Sequence, residues 1–175
     1  AACVPLAAIA VGGLLAPALW WAAVRQGDDA WAGRVERALA WVGRDEPRFH
    51  ERRAVQRVSA GDLAGAQAAY DRSLEITPTP SAWSGLGEVR ALLGDADGAR
   101  QCYEHSLAIR LTPEAWVGMG AVREFEGDPA AVDAYGAALA LDPNNLDALT
   151  RLGQYWIRHG RPDRALPLLA QAAAI

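Results

Sequence analysis

The chain has 175 residues, a formal net charge of −4 and a pI near 5.4. All 17 basic residues are arginines. A nucleic-acid-binding surface needs a clustered excess of cations, so this charge balance excludes nucleic acid from the expected partners. The two cysteines, Cys3 and Cys102, lie in different parts of the chain, and we therefore expect no disulfide framework.

The N-terminal segment is strongly apolar. Residues 3–24 form a run of 22 positions without a charged side chain. A helix of that length reaches roughly 33 Å, which is enough for a hydrocarbon core of about 30 Å. Trp20 and Trp21 stand near its end, where interfacial aromatic residues belong, and Arg25 follows directly. We therefore predict a single transmembrane helix over residues 1–25.

Small residues and arginines give this span an expected environment. A stripe of small side chains suits close packing against other membrane helices, at Ala8, Gly12 and Ala16. No basic residue precedes the span and four follow it: Arg25, Arg34, Arg37 and Arg44. This bias places the soluble part on the cytoplasmic side of a bacterial inner membrane, and the periplasmic side stays open. Expected partners of the span are the lipid bilayer and neighbouring membrane helices.

Three other interpretations of the apolar segment remain. It resembles a secretory signal peptide, although such signals have a shorter apolar stretch and a basic start. The opening Ala1-Ala2-Cys3 is similar to the end of a lipoprotein cleavage box, but polar residues do not follow the cysteine. A buried helix of a soluble core is the third interpretation.

A second amphipathic segment comes after the span. Residues 29–43 carry apolar side chains on one helical face, at Trp31, Val35, Ala38, Leu39 and Val42. We assign residues 26–46 to a linker and a leading helix that caps the apolar side of the first unit of the C-terminal region. A stack of repeated units needs such a cap, because each unit contacts only its neighbours.

The remainder of the chain repeats every 33 residues. Three columns carry the period: Gly61, Gly94, Gly127 and Gly160; Gly87, Gly120 and Gly153; and Leu86, Met119 and Leu152. Trp83 and Trp116 are also 33 residues apart. Such a period is the mark of a repeat architecture, in which each unit is one small supersecondary element.

Each unit reads as two helices joined by a glycine turn. Apolar and small residues recur at helical spacing over residues 81–93, and Gly94 ends this helix in a left-handed conformation. A second helix over about 97–110 buries Ala99, Tyr103 and Ser106. An aspartate follows each turn glycine, at Asp62, Asp95 and Asp128, and we interpret these as N-caps rather than catalytic carboxylates.

These columns resemble the tetratricopeptide repeat family. The match rests on Trp83, Leu86, Gly87, Ala99 and Tyr103, and on their counterparts in the next two units. The resemblance implies an all-α, right-handed solenoid of helix-turn-helix pairs, here preceded by a single transmembrane helix. We divide residues 47–175 into about four repeats: 47–79, which is divergent, 80–112, 113–145 and 146–175.

The resemblance also implies a binding surface. In this family the first helix of each pair lines a concave groove that receives a peptide or helix of another protein. The matching positions are Arg48, Glu51, Val55, Ser81, Ser84, Glu88, Glu114, Val117, Ala121, Glu124, Asp147, Thr150, Gln154 and Ile157. The mildly acidic set with apolar patches favours a neutral or basic segment. Binding through the ends or the convex face is the alternative.

Chemistry is not indicated. Gly85-Leu86-Gly87 starts like a dinucleotide fingerprint, but Arg90 stands where its third glycine belongs. Cys102 and His105 share a helix face, yet no second pair of ligands accompanies them. We therefore expect no enzyme activity, cofactor or metal. The chain ends with an apolar surface at Leu166, Leu169 and Ile175, which a continuing chain or a partner would cover.

The leading functional hypothesis is a membrane-anchored, non-catalytic subunit that assembles or docks other proteins. The alternative is the C-terminal part of a membrane glycosyltransferase resembling O-antigen ligases and polymerases, whose catalysis would lie upstream. A soluble adaptor with a cleaved signal is a third hypothesis.

Overall fold

The computed structural model of the protein describes residues 46–175. The predictions for the membrane helix, for its stripe of Ala8, Gly12 and Ala16 and for the leading helix lie outside the described residues. The chain divides into two units, Ala1–Glu46 and Pro47–Ile175, and the described helices belong to the second. None of these helices is long and apolar enough to cross a membrane.

From residue 46 onward the structure contains helices and no strand. The eight helices are α1 (Pro47–Ser59), α2 (Leu63–Ile76), α3 (Pro80–Leu92), α4 (Ala96–Ile109), α5 (Pro113–Phe125), α6 (Ala131–Leu141), α7 (Leu146–Arg158) and α8 (Pro162–Ala174). The prediction of an all-α stack of helix pairs is confirmed. The expected helices over 81–93 and 97–110 correspond to α3 and α4 within about one residue.

The packing order gives the stack an inner and an outer side. Every helix packs against the next one along the chain, and the first helices of successive pairs also touch, α1 with α3, α3 with α5 and α5 with α7. Within the described part of the chain the second helices do not contact one another. The first helices therefore lie closer together and form the inner face, and the second helices form the outer side.

The turn within each pair follows one hydrogen-bonding scheme. At the first full example, Gly94 has a φ of 84° and its N–H donates to the Ala91 carbonyl over 3.0 Å. The N–H of Asp95 donates to the Arg90 carbonyl over 2.9 Å, which completes a Schellman motif. Equivalent glycines with positive φ are Gly61, Gly127 and Gly160. The helix-ending role expected of this column is confirmed.

The aspartate after the turn caps two of the three helices for which it was predicted. Asp62 accepts from the Gly65 N–H and Asp95 from the Gly98 N–H, each over 2.9 Å. The prediction for Asp128 is wrong, because its carboxylate accepts from the Ala130 N–H two residues on, and α6 begins only at Ala131. Pro129 and the shortened third unit leave this aspartate in a turn ahead of the helix.

The first helices have caps that the sequence analysis missed. Side chains of Thr79, Thr112 and Asn145 accept from backbone N–H groups three residues on, over 3.1, 3.4 and 2.9 Å. Thr79 and Thr112 are each followed by a proline at the first helical position, where a missing N–H costs nothing. The visible signal was a Thr-Pro pair recurring at the repeat period.

Tyrosine rings packed on glycines hold successive pairs together. The Tyr103 ring of α4 lies against Gly87 of its own pair, where an added β-carbon would be 2.9 Å from the ring. Its tip lies even closer to Gly118 of the next pair. Tyr70 meets Gly85 in the same way. Glycine is required here because any side chain would occupy the volume of the ring.

Candidate partner-binding surface

The inner face carries most of the residues predicted to line a groove. Exposed members are Arg48, Val55, Ser81, Glu88, Glu114, Asp147, Gln154 and Ile157. Partly buried members are Glu51, Ser84, Ala121, Glu124 and Thr150. The exposed set offers both charges, hydroxyls and apolar side chains to a partner, and its members come from all four first helices.

Val117 is the member of this set that the structure places differently. Its side chain is only 8% exposed and packs in the cluster that contains Tyr135, Leu152 and Tyr155. The equivalent position in the preceding unit is Ser84, a smaller polar residue that is partly exposed. The larger apolar side chain turns into the core at this position, so Val117 offers almost no surface to a partner.

Glu51 joins the first two pairs through hydroxyl groups. Its Oε1 accepts from the Thr79 hydroxyl over 2.9 Å, and its Oε2 accepts from the Ser81 hydroxyl over 3.0 Å. The buried Ser73 hydroxyl lies 3.4 Å from Oε1. These bonds engage both carboxylate oxygens, so Glu51 fixes the position of α1 against α3.

Glu124 organises the far half of the inner face. The Tyr135 hydroxyl donates to its Oε2 over 2.8 Å, and the Arg158 guanidinium forms an ion pair with its Oε1. The side chain of Glu124 is 15% exposed. Burial and the Glu124 carboxylate raise the pKa of Tyr135, while Arg151 opposes that rise. This cluster joins α5, α6 and α7.

Burial gives the tyrosines a shared response to alkali. Burial, with Glu88 and Glu51 nearby, raises the pKa of Tyr70 from 10.0 to about 12. The unfolded chain therefore loses this proton first, and the free energy of unfolding should fall as the pH rises from about 10 to about 12. We expect Tyr70→Phe to reduce that fall, as measured by urea unfolding across this range. An unchanged pH dependence in the variant would contradict the assignment.

The inner face also has apolar residues that the sequence analysis missed. Phe125, at the end of α5, is 79% exposed, and Leu92 holds the equivalent place at the end of α3. Exposed phenylalanine is uncommon on a surface that meets only water. The signal was available in the sequence, because the two residues are 33 positions apart and directly precede the turn segments.

The predicted C-terminal apolar surface is only partly exposed. Leu166 and Ile175 are 68% and 64% exposed, in agreement with the prediction. Leu169 instead packs on Gly153, where an added β-carbon would be 2.7 Å from its side chain. It occupies the place against the first helix that tyrosine holds in the preceding pair.

Cys102 and His105, which share a helix face in the sequence, lie in separate packing environments. Cys102 is fully buried, and burial raises the pKa of its thiol. His105 stacks on Trp83 with ring centroids 4.6 Å apart. Within residues 46–175 no three potential ligand side chains are grouped for a metal ion. Both residues therefore contribute to packing.

Similar folds occur among solved structures. A crystal structure of MamA aligns with a TM-score of 0.71 at 17% identity, over 87% of this chain and 91% of that chain. MamA 41-end from Desulfovibrio magneticus RS-1 aligns with a TM-score of 0.72 at 19% identity, over 91% and 92%. A chain of the APC/C hetero-tetramer Cut9-Hcn1 aligns with a TM-score of 0.69 at 18% identity, over 89% of this chain and 32% of that chain.

Sequence comparison gives the family directly. No curated protein sequence matches the chain. A family model for the tetratricopeptide repeat matches residues 52–115 and 129–175, which together make up more than half of the chain. The same residues form the helix pairs, the glycine turns and the tyrosine contacts described above. The chain belongs to the tetratricopeptide repeat family, whose fold serves protein–protein interaction.

Proposed function

We propose that this protein is a non-catalytic assembly subunit that binds a segment of another protein on its inner face. The observation that carries the proposal is the exposed, chemically mixed surface of the four first helices, which includes Ser81, Glu88 and the protruding Phe125. Aromatic and apolar anchors among polar groups are typical of protein interfaces. The similar chain of the Cut9-Hcn1 hetero-tetramer offers a precedent for this fold in a multi-protein complex.

Site-directed photocrosslinking in cells tests which face contacts the partner. A photoreactive amino acid replaces Ser81 or Glu114 on the inner face, and Gln101 or Asp133 on the outer helices as matched exposed controls. The proposal predicts crosslinked adducts from the inner positions and none from the outer ones. Adducts from only the outer positions would overturn it. Mass spectrometry of the adducts then identifies the partner.

We further propose that residues 1–25 hold the protein in a bacterial inner membrane with the repeats on the cytoplasmic side. The uncharged run over residues 3–24 and the arginines that follow it support this proposal. The protein should stay in the membrane pellet after a carbonate wash, and release into the supernatant would contradict the anchor. In intact spheroplasts the repeats should resist added protease. Digestion there would place them in the periplasm instead.

A further inference from the structure

The three equivalent tyrosines of the stack do not have the same hydrogen bonding. The Tyr135 hydroxyl donates to Glu124, whereas the hydroxyls of Tyr70 and Tyr103 have no hydrogen-bond partner among residues 46–175. The repeat explains the difference, because the positions equivalent to Glu124 are occupied by Ala91 and Val58. One tyrosine therefore has an internal acceptor, and the other two lack it.

Unpartnered hydroxyls at these positions are costly. Tyr70 and Tyr103 are each only 5% exposed. A buried hydroxyl without an acceptor loses its hydration without compensation. The protein retains this cost twice, at equivalent places in neighbouring units. An acceptor supplied from outside the chain would remove it.

The inner face leaves room for such an acceptor. The tips of Tyr70 and Tyr103 lie at Gly85 and Gly118, two partly exposed glycines that we call the glycine gaps. Without β-carbons on α3 and α5 at these points, the main chain of a ligand can approach the ring tips closely. The fourth unit has Arg151 at the same position, so its surface is filled.

The surrounding charge selects the kind of acceptor. The carboxylates of Glu51 and Glu88 influence the Tyr70 hydroxyl, and Glu88 also influences that of Tyr103. An anionic acceptor would be repelled here, whereas a neutral carbonyl oxygen would not. Glu88 is exposed and forms no hydrogen bond or ion pair within the described part of the chain. A basic side chain next to the carbonyl would complement it.

The spacing of the gaps selects the conformation of the ligand. Gly85 and Gly118 lie on α3 and α5, which touch, and packed helices are about 8–10 Å apart. Three residues of polyproline II helix advance about 9 Å, and its three residues per turn point every third carbonyl the same way. A bound α-helix would not fit, because its own carbonyls accept hydrogen bonds internally.

Building on the proposed function, we propose that the glycine gaps bind a proline-rich segment of the partner in polyproline II conformation. The hydroxyls of Tyr70 and Tyr103 donate to two of its carbonyls three residues apart, and Glu88 pairs with a basic side chain between or beside them. The third tyrosine, Tyr135, takes no part, because Glu124 already accepts from it.

Fluorescence anisotropy of the full chain in mild detergent tests this proposal. The probe is a labelled peptide of repeated Pro-Pro-Arg triplets, and a Gly-Ser-Arg peptide of equal length and charge is its control. We expect Tyr70→Phe and Tyr103→Phe each to weaken binding of the proline peptide about three- to tenfold, as loss of one hydrogen bond implies. Tyr135→Phe, the matched control, should change the affinity less than about twofold.

Two results would overturn the inference without affecting the proposed function. Equal binding of both peptides, or no binding of either, would exclude selection of the polyproline conformation. Unchanged affinity in Tyr70→Phe and Tyr103→Phe would exclude the hydroxyl contacts. The photocrosslinks from Ser81 and Glu114 judge the proposed function separately, because they require only that some partner segment lies on the inner face.

Discussion

Replacement of Tyr135 with alanine is expected to lower the free energy of unfolding by about 3–5 kcal/mol. The ring is fully buried between α5, α6 and α7, and its hydroxyl donates to Glu124. Truncation would leave a cavity at the junction of two repeats and remove that bond. Urea unfolding monitored by circular dichroism measures the loss.

The matched control for this prediction is Asp133→Ala, on the same helix. Asp133 is exposed, and among the described residues it forms no ion pair or hydrogen bond. Surface substitutions of this kind change stability by less than about 0.5 kcal/mol. A loss below about 1 kcal/mol for Tyr135→Ala would show that the ring does not hold the two repeats together.

A pair of glycine substitutions should change stability in opposite directions. A β-carbon on Gly120 would lie 2.6 Å from the Tyr135 ring, so Gly120→Ala should cost about 1–3 kcal/mol through overpacking. Gly136 lies in α6 with nothing within 4 Å of an added β-carbon. Gly136→Ala should therefore stabilise the protein by about 0.5–1 kcal/mol through helix propensity.

Thermal or urea unfolding of the two variants, side by side, measures this difference. Both glycines lie inside helices, so the gain in propensity is common to both substitutions and the ring contact alone separates them. Stabilisation in both variants would mean that Gly120 has space to spare and that the repeat column has another cause.

The fold could be predicted from the sequence because its strongest signals are local and repeated. The glycine column at Gly61, Gly94, Gly127 and Gly160 marks helix ends by a conformation that few other residues adopt. The column at Gly87 and Gly120 indicates close packing of two helices. Such signals recur at a fixed interval, so each unit supports the interpretation of the others.

The binding surface was less predictable, because exposure depends on the size of neighbouring side chains. Val117 occupies a groove position in the repeat but turns into the core, and Leu169 fills the space at Gly153. Position within the repeat therefore identifies which helix face a residue occupies, but not how much of it a partner can reach. Asp128 shows the same limit for caps, since one shortened turn changed its role.

The unequal bonding of the tyrosines was outside the reach of the repeat alone. The sequence aligns Tyr70 and Tyr103 and, one residue earlier in its unit, Tyr135, so all three seemed equivalent. Only the structure shows that the Tyr135 hydroxyl reaches Glu124, while the glycine gaps lie at the tips of the other two. A difference at one aligned position, Glu124 against Ala91 and Val58, separates them.

The most direct test compares the stability of Tyr70→Phe, Tyr103→Phe and Tyr135→Phe in one series of urea titrations. Each substitution removes a hydroxyl and keeps the ring. Tyr135→Phe should lose about 1.5–3 kcal/mol, the contribution of a hydrogen bond to a charged group, and the other two should lose nothing or become more stable. Equal losses in all three variants would contradict the account of one tyrosine bonded internally and two left open to a partner.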